Sequence, residues 1–218
     1  MLSQTEENYL KAIYSIGLSN SKNVNTTLIS KKLETKPSSV TDMIKKLADK
    51  EFINYEKYKG VSLTQKGKKV AVKIVRRHRL WEVFLVNKLN YNWDEVHEMA
   101  EQLEHIKSET LVSRLEKFLD FPKHDPHGDP IPDENGNIAH HKKIMLSSIK
   151  VNNNCIVIGV KDSSSSFLKF LDSVNIKLGS TLKITSKEEF DKSMIIENNN
   201  TSISLSHQIS KNLFVKNL

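Results

Sequence analysis

The sequence of 218 residues has one cysteine, seven glycines and no long apolar run, and these shortages exclude several classes of protein. Cys155 alone cannot form an internal disulfide framework or a cysteine-rich zinc or iron–sulfur site. No apolar stretch approaches the roughly 18 residues that a membrane span needs. The opening residues, MLSQTEENYL, lack the basic-then-apolar order of a signal peptide. We therefore expect a soluble, cytoplasmic protein.

Charge is distributed unevenly along the chain, although its net value is only +7. Residues 1–80 carry 17 Lys and Arg against 7 Asp and Glu, whereas residues 81–141 carry 5 against 13. Residues 142–218 are again basic, with 11 against 6. A basic first part indicates a polyanionic partner and an acidic middle part indicates cations, unless these charges only solvate exposed helix faces.

Proline is scarce, and four of the five prolines fall between Pro122 and Pro132. Their stretch, FPKHDPHGDPIPDENGN, cannot be a helix interior or a central strand, so we expect a loop over 121–141. The pattern is helical before this loop, and short β-branched runs separated by Asn and Ser clusters follow it. The sequence therefore predicts a mainly α protein with a small β C-terminal domain, divided into residues 1–64, 65–141 and 142–218.

The first domain has the pattern of a DNA-reading unit. Apolar residues at helical spacing predict an opening helix that ends near Gly17, and a short helix capped by Asn25 or Thr26 follows. Pro37 suits the first turn of the next helix, and FINYEKYKGVSLT alternates apolar and polar residues around a tight turn. Helix, turn, helix and hairpin in this order make a winged helix-turn-helix.

The second helix of such a unit enters the major groove of DNA. Its apolar stripe packs inward, so its polar residues face outward, and the hairpin tip can grip a neighbouring phosphate or minor groove. We predict DNA contacts from Pro37, Ser38, Ser39, Thr41, Asp42, Lys45, Lys46, Tyr58 and Lys59. The alternative is a helix-turn-helix that contacts only protein.

Histidines and carboxylates recur at helical spacing in the acidic middle part. His78 and Glu82 are four residues apart, so they share a helix face. The segment DEVHEMAEQLEHIKSE predicts another helix, in which His97 lies one turn before Glu101. The remaining members of this set are Glu104, His105, His124, Asp125, His127 and Asp129. Carboxylates and imidazoles without thiolates suit Mn(II) or Fe(II) better than a structural zinc. One such pair alone is more commonly an ordinary charge pair on a solvated helix face.

Together these residues resemble the DtxR/MntR family of metal-dependent bacterial transcriptional repressors, the family of the diphtheria-toxin repressor. The matching segments are EENYLKAIY, PSSVTDMIKKL, KGVSLTQKGKKVA, RRHRLWEVFLV, EQLEH and DPHGDPIP. The final segment resembles the SH3-like, FeoA-type domain of three-domain manganese-responsive repressors of Gram-positive cocci. The resemblance implies a homodimer joined through its middle helices that binds a palindromic operator and controls metal-uptake genes. It places Trp81, Phe84, Leu85, Leu111 and Leu115 at the dimer interface.

The resemblance also implies two metal sites. The first site matches His78, Glu82, His97, Asp125, His127 and Asp162. Many relatives have a cysteine where this chain has Asp125, and a carboxylate there favours Mn(II) over Zn(II). The second site matches Asn8, Glu101, Glu104 and His105.

Two departures from the family pattern affect the second site. The first-helix ligand is usually Asp or Met, whereas Asn8 is a neutral and weaker donor. Lys11 stands where two-domain manganese members have a ligand Glu, and a charged lysine cannot bind a metal. We therefore expect the first site to bind metal more tightly than the second.

Two other classes of function stay open on the residues alone. Di-metal oxidation sites in helical bundles need a Glu-x-x-His motif from each of two helices, which this chain lacks. It also lacks a nucleophile–base pair and a phosphate-cradling glycine loop, so we do not expect an enzyme. The other alternative is a winged-helix regulator of a small organic ligand whose His and Asp clusters are structural.

Overall fold

The computed structural model describes residues 2–19, 24–56, 60–138 and 143–218, which form two compact units. The first unit contains the described residues of segments 1–79, 101–113 and 132–138. The second contains those of segments 80–100, 114–131 and 139–218. No helix in the described part of the chain is both long enough and apolar enough to cross a membrane.

Helices dominate the chain before the Pro-rich loop, and strands dominate after it. The helices are α1 (Gln4–Ser19), α2 (Thr26–Lys32), α3 (Pro37–Asp49), α4 (Gln65–Leu89), α5 (Val96–Leu103), α6 (Glu109–Phe118), α7 (Ser165–Ser173) and α8 (His207–Ser210). The strands are β1 (Ile53–Glu56), β2 (Gly60–Leu63), β3 (Ile144–Met145), β4 (Asn154–Val160), β5 (Thr181–Lys187), β6 (Met194–Asn198), β7 (Thr201–Leu205) and β8 (Leu213–Asn217).

Local signals set the two helices of the helix-turn-helix. The Asn25 side chain accepts a backbone hydrogen bond and caps α2, as predicted. Pro37 is the first residue of α3, where its missing N–H costs no helical hydrogen bond. Val40, Ile44 and Leu47 are fully buried on the inner face of α3. Burying each of these side chains stabilises the fold by roughly 2 kcal/mol, so this stripe fixes which face of α3 turns outward.

Strands β1 and β2 form the predicted antiparallel hairpin, in which Ile53 pairs with Leu63. With α1, α2 and α3 in the same unit, the hairpin completes a winged helix-turn-helix. Tyr58 and Lys59 at the hairpin tip lie outside the described residues.

Two helix ends differ from the sequence prediction. Helix α1 continues two residues past Gly17, because a glycine inside a helix costs only about 1 kcal/mol. Helix α5 ends at Leu103, so Glu104 and His105 lie in the following turn and not on a helix face. After Leu103 the chain makes a tight turn, in which the Ile106 N–H donates to the Leu103 carbonyl at 3.1 Å, and the Glu104 carbonyl accepts a hydrogen bond from Arg77 Nε at 2.6 Å.

The second unit contains a six-stranded antiparallel sheet in the order β3-β8-β4-β5-β6-β7. Buried and exposed residues alternate along β5, where Leu182 and Ile184 face the core. Leu168 and Leu171 of α7 pack into the same core, together with the buried thiol of Cys155. The prediction of a mainly α chain with a small β C-terminal domain is confirmed.

Candidate metal centre and nucleic-acid interface

The second unit brings Glu82, Asp125 and His127 together in a candidate metal centre. Each offers one ligand atom, and these atoms all lie within 4.8 Å of one another. Glu82 is 2% exposed, and Asp125 and His127 are each 6% exposed. Two carboxylates this close repel each other when buried, so a divalent cation between them stabilises the group. The donor set fits a metal ion that prefers oxygen and imidazole ligands.

A tight turn aims Asp125 and His127 at the same point. Asp125 Oδ1 accepts hydrogen bonds from the backbone N–H groups of His127 and Asp129, both at 2.9 Å. The Gly128 N–H donates to the Asp125 carbonyl at 3.1 Å and closes the turn. Aspartate favours such turns because its side chain can accept from the backbone two residues further on. The local sequence DPHGD therefore encodes the bend that the metal centre needs.

The turn is held against β4 by a close backbone approach. Gly128 has a φ of +83°, and a Cβ at this position would lie 2.1 Å from the Ile158 carbonyl oxygen. A Cβ at Gly159 would lie 3.1 Å from the His127 carbonyl oxygen. That carbonyl accepts a hydrogen bond from Val160 N–H at 2.9 Å. Since only glycine at 128 permits this approach, β4 fixes the backbone of a candidate ligand.

The His127 ring is oriented by Trp93. His127 Nε2 lies 2.8 Å from the Trp93 carbonyl oxygen, and Nδ1 lies 3.7 Å from Glu82 Oε2. When Nε2 donates to the carbonyl, Nδ1 is left to face the carboxylate, which is the usual arrangement around a metal-binding histidine. Burial lowers the pKa of His127, but Glu82, Asp125 and the Trp93 carbonyl together raise it to about 9.

Three further residues are predicted for this site, and one of them, His97, contacts Glu82. His97 Nδ1 lies 3.5 Å from Glu82 Oε1, and the His97 side chain is 55% exposed. Asp162 follows β4, and its Oδ1 accepts a backbone hydrogen bond within its own turn at 2.9 Å. His78 belongs to the first unit, where its Nδ1 lies 2.6 Å from Glu104 Oε2. Their membership of the metal centre stays a prediction.

The first unit gathers Lys11, Glu101 and Glu104 in a second cluster. Lys11 Nζ lies 2.7 Å from Glu101 Oε1 and 2.8 Å from Glu104 Oε2. The Glu104 side chain is fully buried. An ammonium group is thus hydrogen-bonded to two of the carboxylates predicted for the second metal site.

The other two residues predicted for the second site, His105 and Asn8, are in the same unit. His105 Nδ1 lies 2.8 Å from Glu7 Oε2, and its Nε2 lies 4.0 Å from Glu104 Oε1. Lys107 Nζ also pairs with Glu7, at 2.9 Å. Glu104 Oε1 and Asn8 Oδ1 are buried and have no hydrogen-bond partner among the described residues. The second cluster therefore has acceptors to offer, but it fits a divalent ion less well than the first because it contains the Lys11 ammonium.

The outer face of α3 is the candidate nucleic-acid interface. Thr41 is half-buried, and its hydroxyl donates to the Pro37 carbonyl at 3.0 Å. Lys46 Nζ lies 3.1 Å from Glu6 Oε1, so its charge is partly neutralised within the chain. The exposed members of the predicted set are Pro37, Ser38, Ser39, Asp42, Lys45 and Lys46. This face is therefore accessible to a partner.

The residues predicted for the dimer interface are only partly accessible. Trp81 and Phe84 are half-buried, and their rings meet edge-on with centroids 5.7 Å apart. Leu111, in the first unit, is 38% exposed. Leu85 and Leu115 are buried within the chain. The dimer interface itself stays a prediction.

Local spacing does not single out Glu7 or Trp93 as contributors to these clusters. Glu7 lies four residues before Lys11 on α1, and this helical spacing in EENYLK relates only those two residues. It does not indicate that Glu7 contacts His105. Trp93 acts on His127 through its carbonyl, for which no side-chain pattern exists.

Three known families match consecutive parts of the chain. Residues 1–61 match the family described as "Iron dependent repressor, N-terminal DNA binding domain". Residues 64–133 match "Iron dependent repressor, metal binding and dimerisation domain", and residues 144–217 match "FeoA domain". The matches follow the order of the winged helix-turn-helix, the helices that carry the clusters, and the sheet.

Individual proteins are similar over long stretches. An uncharacterized HTH-type transcriptional regulator of Methanocaldococcus jannaschii is 40% identical over 119 residues, which are 55% of this chain and 95% of that protein. The HTH-type transcriptional regulator MntR of Oceanobacillus iheyensis is 34% identical over 119 residues, 55% of this chain and 80% of that protein. A solved structure described as a manganese-dependent transcriptional repressor in complex with manganese has a TM-score of 0.88 and 31% identity. The match covers 98% of this chain and 100% of that one.

Proposed function

Because this chain belongs to the DtxR/MntR family of metal-dependent transcriptional repressors, we propose that Mn(II) or Fe(II) at Glu82, Asp125 and His127 switches its binding to DNA. Members of this family are DNA-binding repressors and not enzymes. The chain has a winged helix-turn-helix, a helical metal-binding and dimerisation domain, and a FeoA domain. The observation that supports this site is the buried group of two carboxylates and one imidazole within 4.8 Å.

We propose that this first site has further ligands and that a second, weaker site exists. The short distance between His97 and Glu82 supports including His97. His78 and Asp162 are included because they match the family pattern. The second site consists of Asn8, Glu101, Glu104 and His105. The domain limits that accompany this proposal are residues 1–64, 65–141 and 142–218.

The donor chemistry favours Mn(II). Glu82 and Asp125 supply oxygen and His127 supplies nitrogen, and no thiolate stands among them. Zn(II) and copper gain most from thiolates, whereas Mn(II) accepts carboxylates and imidazoles. The manganese in the matching solved structure supports the same ion, and the iron-dependent repressor families keep Fe(II) as the second choice.

The proposed ligands come from different elements of the fold, so metal binding can affect how these elements are held together. Glu82 is on α4, whereas Asp125 and His127 are on the loop docked to β4, so the three ligands connect these elements. When bound, the ion supplies positive charge that neutralises the two carboxylates. The ion binds more tightly to the conformation in which the ligands converge, so it shifts the population toward that conformation. The ratio of its affinities for the two conformations limits how far the population can shift.

For DNA binding, we propose that the protein is a cytoplasmic homodimer. It binds a palindromic operator upstream of metal-uptake genes. Each protomer would place α3 in one major groove, with half-sites separated by one or more helical turns of ~34 Å. The exposed polar face of α3 and the basic charge of residues 1–80 support this mode of binding. Trp81, Phe84 and Leu111 are the accessible residues of the proposed dimer contact.

Fluorescence anisotropy on a palindromic promoter fragment upstream of a manganese-transporter operon tests the proposal. Mn(II), anaerobic Fe(II), Zn(II) and chelator are compared at fixed salt for wild type, Asp125→Asn and Asp129→Asn. Asparagine at 125 keeps the Oδ1 acceptor of the turn but removes the charge. Asp129→Asn removes the same charge from the same loop, where Asp129 pairs with Lys143 at 2.9 Å.

We expect chelator to abolish binding of wild type and Asp129→Asn, and Mn(II) to restore it. Asp125→Asn should need at least about 100-fold more Mn(II), since even outer-shell changes cost 10–100-fold in metal affinity. Equal binding in chelator and in Mn(II) would contradict the proposal and favour a winged-helix regulator of an organic ligand.

A further inference from the structure

Lys11 lies between two carboxylates that come from a distant part of the chain. Its Nζ is 2.7 Å from Glu101 Oε1 and 2.8 Å from Glu104 Oε2, and the Lys11 side chain is only 15% exposed. The lysine is on α1, whereas Glu101 is on α5 and Glu104 follows it. Charge-assisted hydrogen bonds are about twice as strong as neutral ones, so this ammonium group is a firm link between α1 and the end of α5.

The same cluster holds acceptor atoms that Lys11 does not satisfy. Glu104 Oε1 is buried without a hydrogen-bond partner among the described residues, and the whole Glu104 side chain is 0% exposed. Asn8 Oδ1, three residues before Lys11 on α1, is also buried and unpartnered within the described segments. A buried acceptor without a hydrogen-bond partner is unfavourable, so Glu104 Oε1 is suited to contact a cation.

The nearby histidine is oriented in agreement with cation binding at Glu104 Oε1. His105 Nδ1 is 2.8 Å from Glu7 Oε2, which leaves Nε2 on the side of Glu104 Oε1, 4.0 Å away. A carboxylate on one ring nitrogen commonly orients the other toward a metal. The cluster thus combines a prepared set of acceptors with an ammonium group that already uses two of them.

We infer that Lys11 is a built-in competitor for the second metal ion. The ammonium group occupies one oxygen of each carboxylate and has the same sign of charge as a metal ion, so an ion that binds both Glu101 and Glu104 competes with it. The apparent affinity of the second site is therefore reduced by the fraction of molecules in which Lys11 stays paired. This inference rests on the proposed assignment of Glu101 and Glu104 as second-site ligands.

The competition has a consequence for regulation. While Lys11 is paired, α1 is already linked to the end of α5 through a charge that belongs to the chain itself. The first site then responds at low metal concentration, and the second responds only at a concentration high enough to displace Lys11. The two sites therefore respond to different ranges of metal concentration.

The test counts Mn(II) binding in a background where the first site is disabled. Glu82→Gln serves as this background, and free Mn(II) is measured by electron paramagnetic resonance during titration without DNA. Lys11→Met removes the competing charge at similar length, whereas Lys11→Arg keeps it. Lys73→Met is the matched control, because Lys73 loses the same charge from an exposed pair with Glu109 at 2.9 Å in the same unit.

We expect Lys11→Met to tighten the remaining Mn(II) binding at least about 10-fold, a change of about 1.4 kcal/mol in binding free energy. Lys11→Arg and Lys73→Met should stay within about twofold of the Glu82→Gln background, a difference below about 0.5 kcal/mol. Thermal unfolding is the second readout: Mn(II) should raise the melting temperature of the Lys11→Met protein more than that of the background. If Lys11→Met does not fold without metal, Lys11→Gln replaces it in both measurements.

Unchanged Mn(II) affinity in Lys11→Met, or in Lys11→Gln where it replaces Lys11→Met, would overturn the inference, as would an equal gain in Lys73→Met. The proposed function fails by a different result, namely tight Mn(II) binding that survives Glu82→Gln alone. The two failures are therefore distinguishable in one set of titrations.

Discussion

Trp93 contacts His127 in two ways at once, because its carbonyl lies 2.8 Å from His127 Nε2 and its indole stacks on the imidazole. The ring centroids are 6.2 Å apart, and the planes are inclined by 13°. Trp93 Nε1 donates in turn to Asp172 Oδ2 at 3.0 Å, which ties the tryptophan to α7. A candidate metal ligand is thereby positioned by a residue that has no ligand atom of its own.

The stacking predicts a graded effect of substitutions at Trp93 on Mn(II) affinity. Trp93→Phe keeps an aromatic ring and the backbone carbonyl, so affinity should stay within about threefold of wild type. Trp93→Ala removes the stacked surface and should weaken Mn(II) binding by about 10-fold or more, as outer-shell losses do. Isothermal titration calorimetry measures both. Equal affinities for Trp93→Ala and wild type would show that the stacking does not position His127.

We expect a side chain at position 128 to weaken metal binding, because it would collide with β4. An alanine Cβ there meets the Ile158 carbonyl oxygen at 2.1 Å, so Gly128→Ala must push the turn away from β4. Gly179→Ala is the matched control, because Gly179 has a similar φ of +87° but nothing within 4 Å of the added Cβ. Both variants should lose about 1–2 kcal/mol of stability from left-handed backbone strain. Only Gly128→Ala should also lose Mn(II) affinity, measured by calorimetry, and equal affinities of the two variants would contradict this view of the turn.

The exposed face of α3 predicts a phosphate contact from Lys45. Replacing a lysine that binds one phosphate lowers affinity for all DNA sequences and reduces the slope of log affinity against log salt by about 0.9. Lys45→Ala should show this change when DNA binding of the Mn(II)-loaded protein is measured by fluorescence anisotropy at salt concentrations from about 50 to about 200 mM. Lys73→Ala, which removes an exposed charge from α4, should leave the slope unchanged. An unchanged slope in Lys45→Ala would remove this residue from the interface.

We expect the buried carboxylate of Glu6 to make the free energy of unfolding decrease in acid. Burial raises the pKa of Glu6, but hydrogen bonds from Lys50, Ser3 and Lys46 lower it from 4.5 to about 2. Because the folded pKa lies below the unfolded one, the stabilisation is fully present above about pH 4.5 and is lost as the pH falls toward 2.

Glu6→Gln should therefore reduce the free energy of unfolding at pH 6 by about 1–2 kcal/mol, since the paired lysines are half-exposed and screened. The difference from wild type should shrink as the pH falls below 4.5. Urea unfolding across this range measures it, with the exposed Asp49→Asn as control. A deficit that is constant with pH would show that the charge of Glu6 is not responsible.

The thiol of Cys155 predicts protection from alkylation. The residue is 0% exposed, and burial raises the pKa of Cys155 to about 11. Only the thiolate reacts readily, so labelling with a thiol reagent at pH 8 should be negligible in the folded protein and complete in urea. Rapid labelling of the folded chain would mean that the core around β4 opens frequently.

Helix starts could be predicted from the sequence because their signals are local. Asn25 before an apolar run and Pro37 at a first turn act within a few residues, and both helices begin where these residues place them. The end of α5 could not be predicted in this way. Glu104 lies in the turn after α5, where its carbonyl accepts a hydrogen bond from Arg77, 27 positions away, and a contact this distant leaves no local signal in the sequence.

The candidate ligand types, the turn that contains Asp125 and His127, and the outward face of α3 are all specified by local sequence. These properties follow from spacing along a helix and from the turn preference of aspartate, which need no distant partner. The pairing of Lys11 with Glu101 and Glu104, and the stacking of Trp93 on His127, arise instead from packing between distant parts of the chain. Those contacts join residues 90, 93 and 34 positions apart, and their geometry is set by how helices and loops pack, which no local pattern records.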